Sequence, residues 1–483
     1  VLLSHSFMKF IQRYLLVLFF WLGQITIFSQ NSIENFKVLV NPTEPKMEVV
    51  LSNYIQFNSI SGNEKEAGEW LKKVCSDKGL HITSMGTRNG NYNFSASLYP
   101  LSKQLPNIIF LNHIDVVPSG DIAKWDYPPF SGKITETEIW GRGAFDNKGN
   151  AMMQLFALLD IKEKYKDIQL PYNITFLAVS VEETQTEGGA QFVVENYLES
   201  LNPAVLIGEG APGLIGILDE TSTKPLFGIS VAHKRALWIE LELSIKTFGH
   251  GSVTPNNYPT KAMNKALHRL LKKKSKVVYN DLNVDFLKQL GYVEKGFKGW
   301  ILKHPRLFKW VLTPQLRKKE ELFALFSNTT TLTGIQSKGE TINVIPSTIK
   351  ATLDCRLLPY ESSELFLQKL KKRLNNDNIK VTIKENMPDV IPSDNQTKYY
   401  QCIERGLLQS YPDSDVITTL LPNFNDVGIF RLFKVPAYAI TPLVLEREYL
   451  EHIHNENERI PIDNLNKGKN AYVSIMNEIL KKQ

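Results

Sequence analysis

The sequence predicts an α/β fold with a mostly parallel sheet, interrupted by a smaller inserted α+β unit. Short continuous apolar runs alternate with stretches at helical spacing, as buried parallel strands and crossover helices do. After about Phe227 the pattern changes to residue-by-residue alternation, the mark of half-buried strands, and after about Pro392 the first pattern returns.

Residues 47–77 read as a helical start, with apolar side chains at helical spacing from Met47 through Val74. Asn107 to Leu111 is a buried strand. A helix from about Gly149 to Tyr165 follows, carrying Met152, Met153, Leu155, Phe156, Leu158 and Leu159. Asn173 to Val181 is a second buried strand, residues 189–201 a helix, and Ala204 to Ile207 a third strand ending at Gly208. Leu237, Ile239, Leu241, Leu243 and Ile245 then share one strand face. A helix at Pro259–Lys274, strands at Thr329–Leu332 and Ile349–Leu353, a helix at Ser362–Asn375 and a strand at Ile379–Ile383 complete a ferredoxin-like order. Helices at Lys398–Gln409 and Asp463–Leu480 close the chain. The expected division is residues 40–228 with 390–483, and an insertion at 229–389 holding a basic helical segment near 275–326.

A chain of 483 residues exceeds one ordinary domain, and 43% hydrophobic with 22% charged residues excludes a disordered chain. Three cysteines stand far apart without a CxxC pair, which excludes a disulfide framework and a thiolate zinc site. The net charge of +6 is unevenly placed. Lys265 to Lys319 hold 15 Lys/Arg against 3 Asp/Glu, leaving 41 Lys/Arg against 47 Asp/Glu elsewhere. A solvated helical surface and a contact surface both fit that block. At the N-terminus, Lys9 and Arg13 precede the apolar run Tyr14 to Leu22. This reads as a secretory signal over residues 1–30, hence a periplasmic or secreted protein. An uncleaved membrane anchor is the alternative, from a run short for a span.

Several motifs sit where strands end, the ligand-binding edge of an open α/β sheet. His113-Ile-Asp115 offers an imidazole with a carboxylate to orient it; alone, the motif fits a satisfied structural histidine better. The loop Gly141 to Gly149 lacks the phosphate-binding pattern, which leaves Asp146 as a carboxylate able to give one oxygen to each of two metals. Glu182-Glu183 follow an apolar strand, where two adjacent acids repel and are costly to bury. A metal relieves one and gives the other a water to deprotonate; a solvated turn is the alternative, less suited to so apolar a strand. Gly208-Glu209-Gly210-Ala211-Pro212-Gly213 matches a dinucleotide fingerprint literally. Pro212 and the extended Leu214 to Leu218 open no helix, so the match is rejected and Glu209 becomes another candidate ligand. His452 and His454 supply further imidazoles, and the chain has no Gly-x-Ser-x-Gly elbow.

In order, the chain carries His113-Ile-Asp115-Val-Val-Pro118, Gly141 to Gly149, Glu182-Glu183, Gly249-His250-Gly-Ser252, Asn343-Val-Ile-Pro346, Asp354-Cys-Arg356 and His454. As a set, over roughly residues 47–483, these resemble the M20 metallopeptidase family of glutamate carboxypeptidase, aminoacylase and carboxypeptidase S. The resemblance implies a zinc-peptidase catalytic domain with a ferredoxin-like lid that dimerises. It also implies two zinc ions, replaceable by cobalt or manganese. One is held by His113, Asp146 and Glu209, the other by Asp146, Glu183 and His454. Glu182 becomes the general base acting on a water at the metal, Asp115 the orienter of His113, and His250 the group that polarises the scissile carbonyl, reaching a partner subunit's site. Asn343 and Arg356 match positions that bind the substrate carboxylate. The implied reaction is hydrolysis of an amide beside a free carboxylate, in a small peptide or N-acyl amino acid, with no nucleic-acid partner. A related aminopeptidase and a non-catalytic metal- or partner-binding protein are the rivals. Some members carry Asp where this chain has Gly208. The basic segment resembles an extra segment of the carboxypeptidase S branch. With Phe286, Phe297, Trp300, Phe308 and Trp310 among its Lys and Arg, it is expected to line an acyl-chain entrance, to touch an anionic membrane surface, or to pack on the lid.

Overall fold

The computed structural model describes residues 46–481, apart from 87–91, 185–187, 217–222, 248 and 338–340. The chain divides into residues 1–50 and residues 51–483. The expected signal at 1–30 lies outside the described residues. Among the described residues, no helix is long and apolar enough to cross a membrane.

Residues 51–483 carry three sheets. The first strands are β1 (His81–Ser84), β2 (Phe94–Ser97), β3 (Asn107–His113), β4 (Lys133–Ile134), β5 (Glu138–Trp140), β6 (Asn173–Val179), β7 (Pro203–Gly208) and β8 (Gly213–Leu214). There follow β9 (Leu226–His233), β10 (Arg235–Ser244), β11 (Thr329–Ser337), β12 (Thr348–Leu357) and β13 (Lys380–Asn386), then β14 (Asp415–Leu421), β15 (Ala437–Ala439), β16 (Val444–Leu445) and β17 (Arg459–Pro461). The large sheet runs β1-β2-β6-β3-β7-β15-β9-β8-β16, with β14 beside β9. Its centre is parallel: β3 pairs with β6 on one side and β7 on the other.

Every residue of β3 and β6 is buried, as a strand covered on both faces requires. Parity divides their side chains. Ile109 and Leu111 join Leu177 and Val179 in a core with the helices Ala190–Leu201 and Asp426–Leu432. Phe110 faces the other way and meets Tyr472 of the helix Ile462–Leu480 edge-on at 5.2 Å between ring centroids. The helix Lys148–Lys164 is buried on nearly every side over its first half, which accounts for its apolar run.

The inserted segment forms its own antiparallel sheet, β11-β12-β10-β13, the ferredoxin-like order expected. The alternating residues Leu237 to Leu243 face one core with Met263, Leu267 and Leu270 of the helix Pro259–Lys272 and Leu370 and Leu374 of the helix Ser363–Leu374. Within this segment, residues 281–325 fold as four short helices. Phe286, Leu287, Leu290, Leu312 and Leu316 bury themselves around Ile417 of β14, and the Gln289 side chain accepts from the Thr418 N–H at 2.7 Å. The expectation of packing on the lid is therefore corrected. The segment's buried residues lie along β14 of the large sheet, whose free side needs covering.

The single helical start expected over 47–77 is also corrected. The helix Met47–Ile55 ends, and the chain turns through Gly62 at φ 92 before the helix Lys65–Asp77. Only a glycine takes that backbone region freely. The turn brings the Ser61 hydroxyl to the Asp115 carboxylate at 2.7 Å.

Replacing Phe110 by Ala removes a fully buried ring from β3. The expected loss is about 3–5 kcal/mol, read as a lowered denaturation midpoint, against a near-neutral Ile335→Ala control on the exposed face of β11.

Candidate metal centre

Three adjacent strands deliver three of the ligand candidates. His113 is the last residue of β3, Glu209 follows β7, and Glu182 and Glu183 follow β6 after a short turn. Because β3 lies between β6 and β7, these side chains reach one spot beyond the sheet's carboxyl edge. Val181 makes the turn at φ 56, a conformation that a β-branched residue adopts only under constraint, and so aims the two adjacent carboxylates.

The remaining two candidates come from loops. The antiparallel pairing of β5 with β17 sets the loop that follows Trp140 beside the segment that precedes Arg459. The carboxylate of Glu458 fixes that junction. It accepts from the Arg142 guanidinium at 2.8 Å and from the backbone N–H groups of Gly143 (3.0 Å), Phe145 (2.9 Å) and Asp146 (3.1 Å). Arg142 and Glu458 are both 1% exposed. The loop glycines are needed for close approach: a Cβ on Gly149 would meet the Ala144 carbonyl oxygen at 2.1 Å.

Asp146 is the centre of the resulting cluster. One of its oxygens lies 3.2 Å from His113 Nε2, which is also 3.2 Å from Glu209. Its other oxygen lies 3.0 Å from His454 Nε2, which is 3.3 Å from Glu183. Two groups of nitrogen and oxygen donors thus share one carboxylate. His113, Asp146 and Glu183 alone bring their ligand atoms within 4.8 Å of one another. The donors are two imidazoles and carboxylates without a thiolate, the set that suits zinc, manganese or cobalt. Buried Glu183 Oε1 and Asn147 Oδ1 have no hydrogen-bond partner among the described residues, so two residues of the cluster keep an unspent buried acceptor. The residues fit a pair of cations. His113 is 4% exposed and His454 51%, so the cluster opens toward solvent on the His454 side.

Asp115 acts in two directions. Its backbone carbonyl lies 2.9 Å from His113 Nδ1, with its carboxylate 3.5 Å away. The carboxylate instead accepts from the N–H groups of Glu182 and Glu183, each at 3.1 Å, and so fixes the turn that carries them. The orientation of His113 expected from the Asp115 side chain is thus supplied mainly by its backbone. His452 binds the Glu456 carbonyl at 2.6 Å, which leaves His454 as the imidazole on Asp146. A Cβ at Gly208 would meet Val427 at 2.4 Å, so an Asp at that position has no room here.

Sequence reasoning assigned no role to Asn147, Glu458, Asn425 or Asp426. Asn147 hydrogen-bonds Glu209, and the Asn425 amide donates to the Glu209 carbonyl at 2.9 Å. Asn425 and Asp426 line the cavity that His113, Glu182 and Glu209 enclose. Asn425-Asp426 carries no pattern that marks it as a site. Glu458, four residues after His454 and beside an Arg-Ile-Pro strand, was the one visible signal.

The three lid candidates lie elsewhere. His250 and Asn343 sit together, joined by the Gly251 N–H donating to the Asn343 carbonyl at 2.7 Å. His250 is exposed, and its Nδ1 accepts from the Ser252 N–H at 3.2 Å, with the Ser252 hydroxyl at 2.6 Å. That leaves the ring proton on Nε2. Arg356, on the sheet face opposite Leu353 and Cys355, donates to Asp354 at 2.8 and 3.0 Å.

Burial raises the Glu182 carboxyl well above the ordinary carboxylate range, with Asp426, Glu209 and Glu183 adding to it. Burial and Asp146 raise Glu183 to about 7. Burial lowers and Asp115, Asp146 and Glu209 raise the His113 imidazole, which ends well above its usual value. Hydrogen bonds to Asp146 and Glu183 push His454 up to about 11.

The model of the family described as peptidase family M20/M25/M40 matches residues 109–478. A probable carboxypeptidase S-like 2 of Dictyostelium discoideum is 27% identical over 458 residues, spanning 91% of this chain and 86% of that protein. The N-fatty-acyl-amino acid synthase/hydrolase PM20D1 of Mus musculus is 28% identical over 443 residues, 86% and 84% of the two chains. Among solved structures, the M20 family metallo-carboxypeptidase Sso-CP2 of Sulfolobus solfataricus overlays with a TM-score of 0.67 at 21% identity, covering 89% of this chain and 98% of that one. Human carnosine dipeptidase 1 overlays at 0.61 with 16% identity, covering 90% and 96%.

Protons and cations compete for the same imidazole nitrogens. Both rings are raised above the ordinary imidazole range, His454 to about 11, so cation uptake near neutral pH is expected to release protons, and affinity to rise with pH toward about 11. Calorimetry in buffers of different ionisation enthalpy measures this; pH-independent uptake without proton release contradicts it. Changing Glu458 to Gln leaves Arg142 buried without its charge partner. The metal-free protein is expected to lose about 3–5 kcal/mol, seen as a lower denaturant midpoint, and to bind cations more weakly.

Proposed function

The chain belongs to peptidase family M20/M25/M40 and is a metal-dependent hydrolase of the peptidase and amidohydrolase kind, and from that premise we propose that it cleaves the amide bond of an N-acyl amino acid or small peptide whose carboxylate is free. The observation that carries this reading is Asp146, one oxygen toward His113 and Glu209 and the other toward His454 and Glu183, with Glu182 lining the cavity beside them. Two zinc ions are the proposed cofactors, for which cobalt or manganese substitutes. When bound, such cations supply Lewis acidity toward a carbonyl oxygen and make a neighbouring water more acidic.

Everything else falls to the chain's own groups. Glu182 takes the proton of the attacking water and returns it to the leaving amine. Its elevated pKa favours the first transfer, because a carboxylate poised nearer neutrality is the stronger base. Asp115 holds the Glu182-Glu183 turn and His113 in register. His250, with its proton on Nε2, is suited to donate to a carbonyl oxygen as charge develops there, and we assign it to the site of a partner subunit in a lid-mediated homodimer. Arg356 takes the substrate carboxylate by exchanging Asp354 for it, a fork that matches two oxygens. Asn343, beside His250, assists that binding. An N-acyl amino acid is the preferred substrate over a dipeptide, supported by the name of the mouse relative. Residues 1–30 are proposed to direct export.

Chelation is expected to abolish amine release, and zinc, cobalt or manganese to restore it. Exchanging Glu182 for Gln is expected to lower kcat by about 10²–10⁴-fold or more with metal content unchanged. A panel of N-acyl amino acids, their carboxamides and dipeptides tests the substrate class. Equal turnover of the carboxamides rejects the carboxylate requirement, and a preference for free amino termini points to an aminopeptidase. An unimpaired Glu182→Gln enzyme removes Glu182 from the reaction.

A further inference from the structure

We infer that the helical insertion carries a docking face for an anionic lipid bilayer. The stretch from Lys295 to Lys319 contains eight Lys and Arg and no Asp or Glu. The insertion has already met its folding requirement through the residues packed around Ile417. It nevertheless holds a second apolar set facing water: Phe297 is 73%, Trp300 47%, Leu307 68% and Trp310 75% exposed. Two of them form a pair: Phe297 stacks on Trp300 with ring centroids 5.7 Å apart, and Trp300 also meets the half-buried Phe308 edge-on at 5.0 Å. An exposed stacked pair of large aromatics, with exposed Leu307 and Trp310 on the same short stretch, marks an interaction surface. Among them stand the exposed Lys295, Lys298, Lys309 and Lys318.

The charge pattern selects the occupant. A second copy of this chain, docked through a two-fold axis, would bring the same cationic face against itself with no acid in the stretch to offset it. An acidic surface with an apolar interior satisfies both halves of the pattern. Indole and phenyl rings lodge at the level of the headgroups, and lysine side chains reach anionic phosphates. The aliphatic Leu307 adds nothing to base stacking and fits acyl chains, which favours a bilayer over single-stranded nucleic acid. This face does not depend on which amide the enzyme cleaves.

The test uses the full chain, vesicles of phosphatidylcholine alone, and vesicles of phosphatidylcholine mixed with phosphatidylglycerol. Co-sedimentation with the mixed vesicles at low salt is expected, weakening as salt is raised, with little binding to the neutral ones. Each lysine removed from the face is expected to weaken partition about fivefold, the equivalent of about 1 kcal/mol. The pairs Lys298→Glu with Lys309→Glu, and Phe297→Ser with Trp310→Ser, should each lose most of the binding. Hydrolysis of a short soluble substrate should stay unchanged in both, which shows that they fold. The inference is overturned by no binding to mixed vesicles at low salt. It is equally overturned by binding that both pairs leave intact, which assigns it to another part of the chain, or by capture of a single-stranded oligonucleotide in place of vesicles.

Discussion

The carboxylate of Glu458 is the interaction on which the candidate site rests. It closes a buried ion pair with Arg142 and at the same time accepts three backbone N–H groups of the loop that carries Asp146. A buried ion pair by itself contributes little to stability, because desolvation offsets most of the attraction. Its value here is geometric. Residues more than three hundred positions apart are locked at one point, so Asp146 and His454, which no strand of the large sheet positions, arrive beside His113, Glu183 and Glu209.

The charge within the cluster explains its other features. Asp146, Glu182, Glu183 and Glu209 converge near two imidazoles; burial first and neighbouring acids second raise Glu182, Glu183 and Glu209, while the acids raise both imidazoles. Asp146 is the exception: burial opposes its ionisation, but His113 and His454 together hold it low. A carboxylate that stays ionised between two nitrogen donors is suited to face a cation on either side. The constraint on Val181 and the three polar groups on the Asp115 carboxylate hold the Glu182-Glu183 pair where its repulsion is answered rather than relieved by moving apart.

The inserted segment divides its work. Its sheet and two helices form a core separate from the large sheet, while the four-helix extension turns back to cover β14. The extension is therefore joined to both parts, with its basic aromatic side left outward. His250, Asn343 and Arg356 belong to the inserted sheet and its loops, apart from the cluster around Asp146.

The class of fold and several candidate ligand residues are readable in the order of the amino acids alone. Short apolar runs bounded by turn signals mark buried strands, and adjacent acids at the ends of such runs are costly to leave without a partner. Those are local signals, written in neighbouring residues, and Glu182, Glu183 and Glu209 were legible for that reason, whereas His113 stood out only within the ordered set of motifs. The helix break near Gly62, the packing of residues 281–325 on β14, and the roles of Glu458, Asn147, Asn425 and Asp426 were decided only by tertiary structure. Each depends on a partner far away in the chain: Asp115 for Ser61, Ile417 for the insertion, Arg142 for Glu458, Glu209 for both asparagines. A single residue's type fixes what bonds it can make, but which bond it makes is set by the strand order that brings its partner within reach.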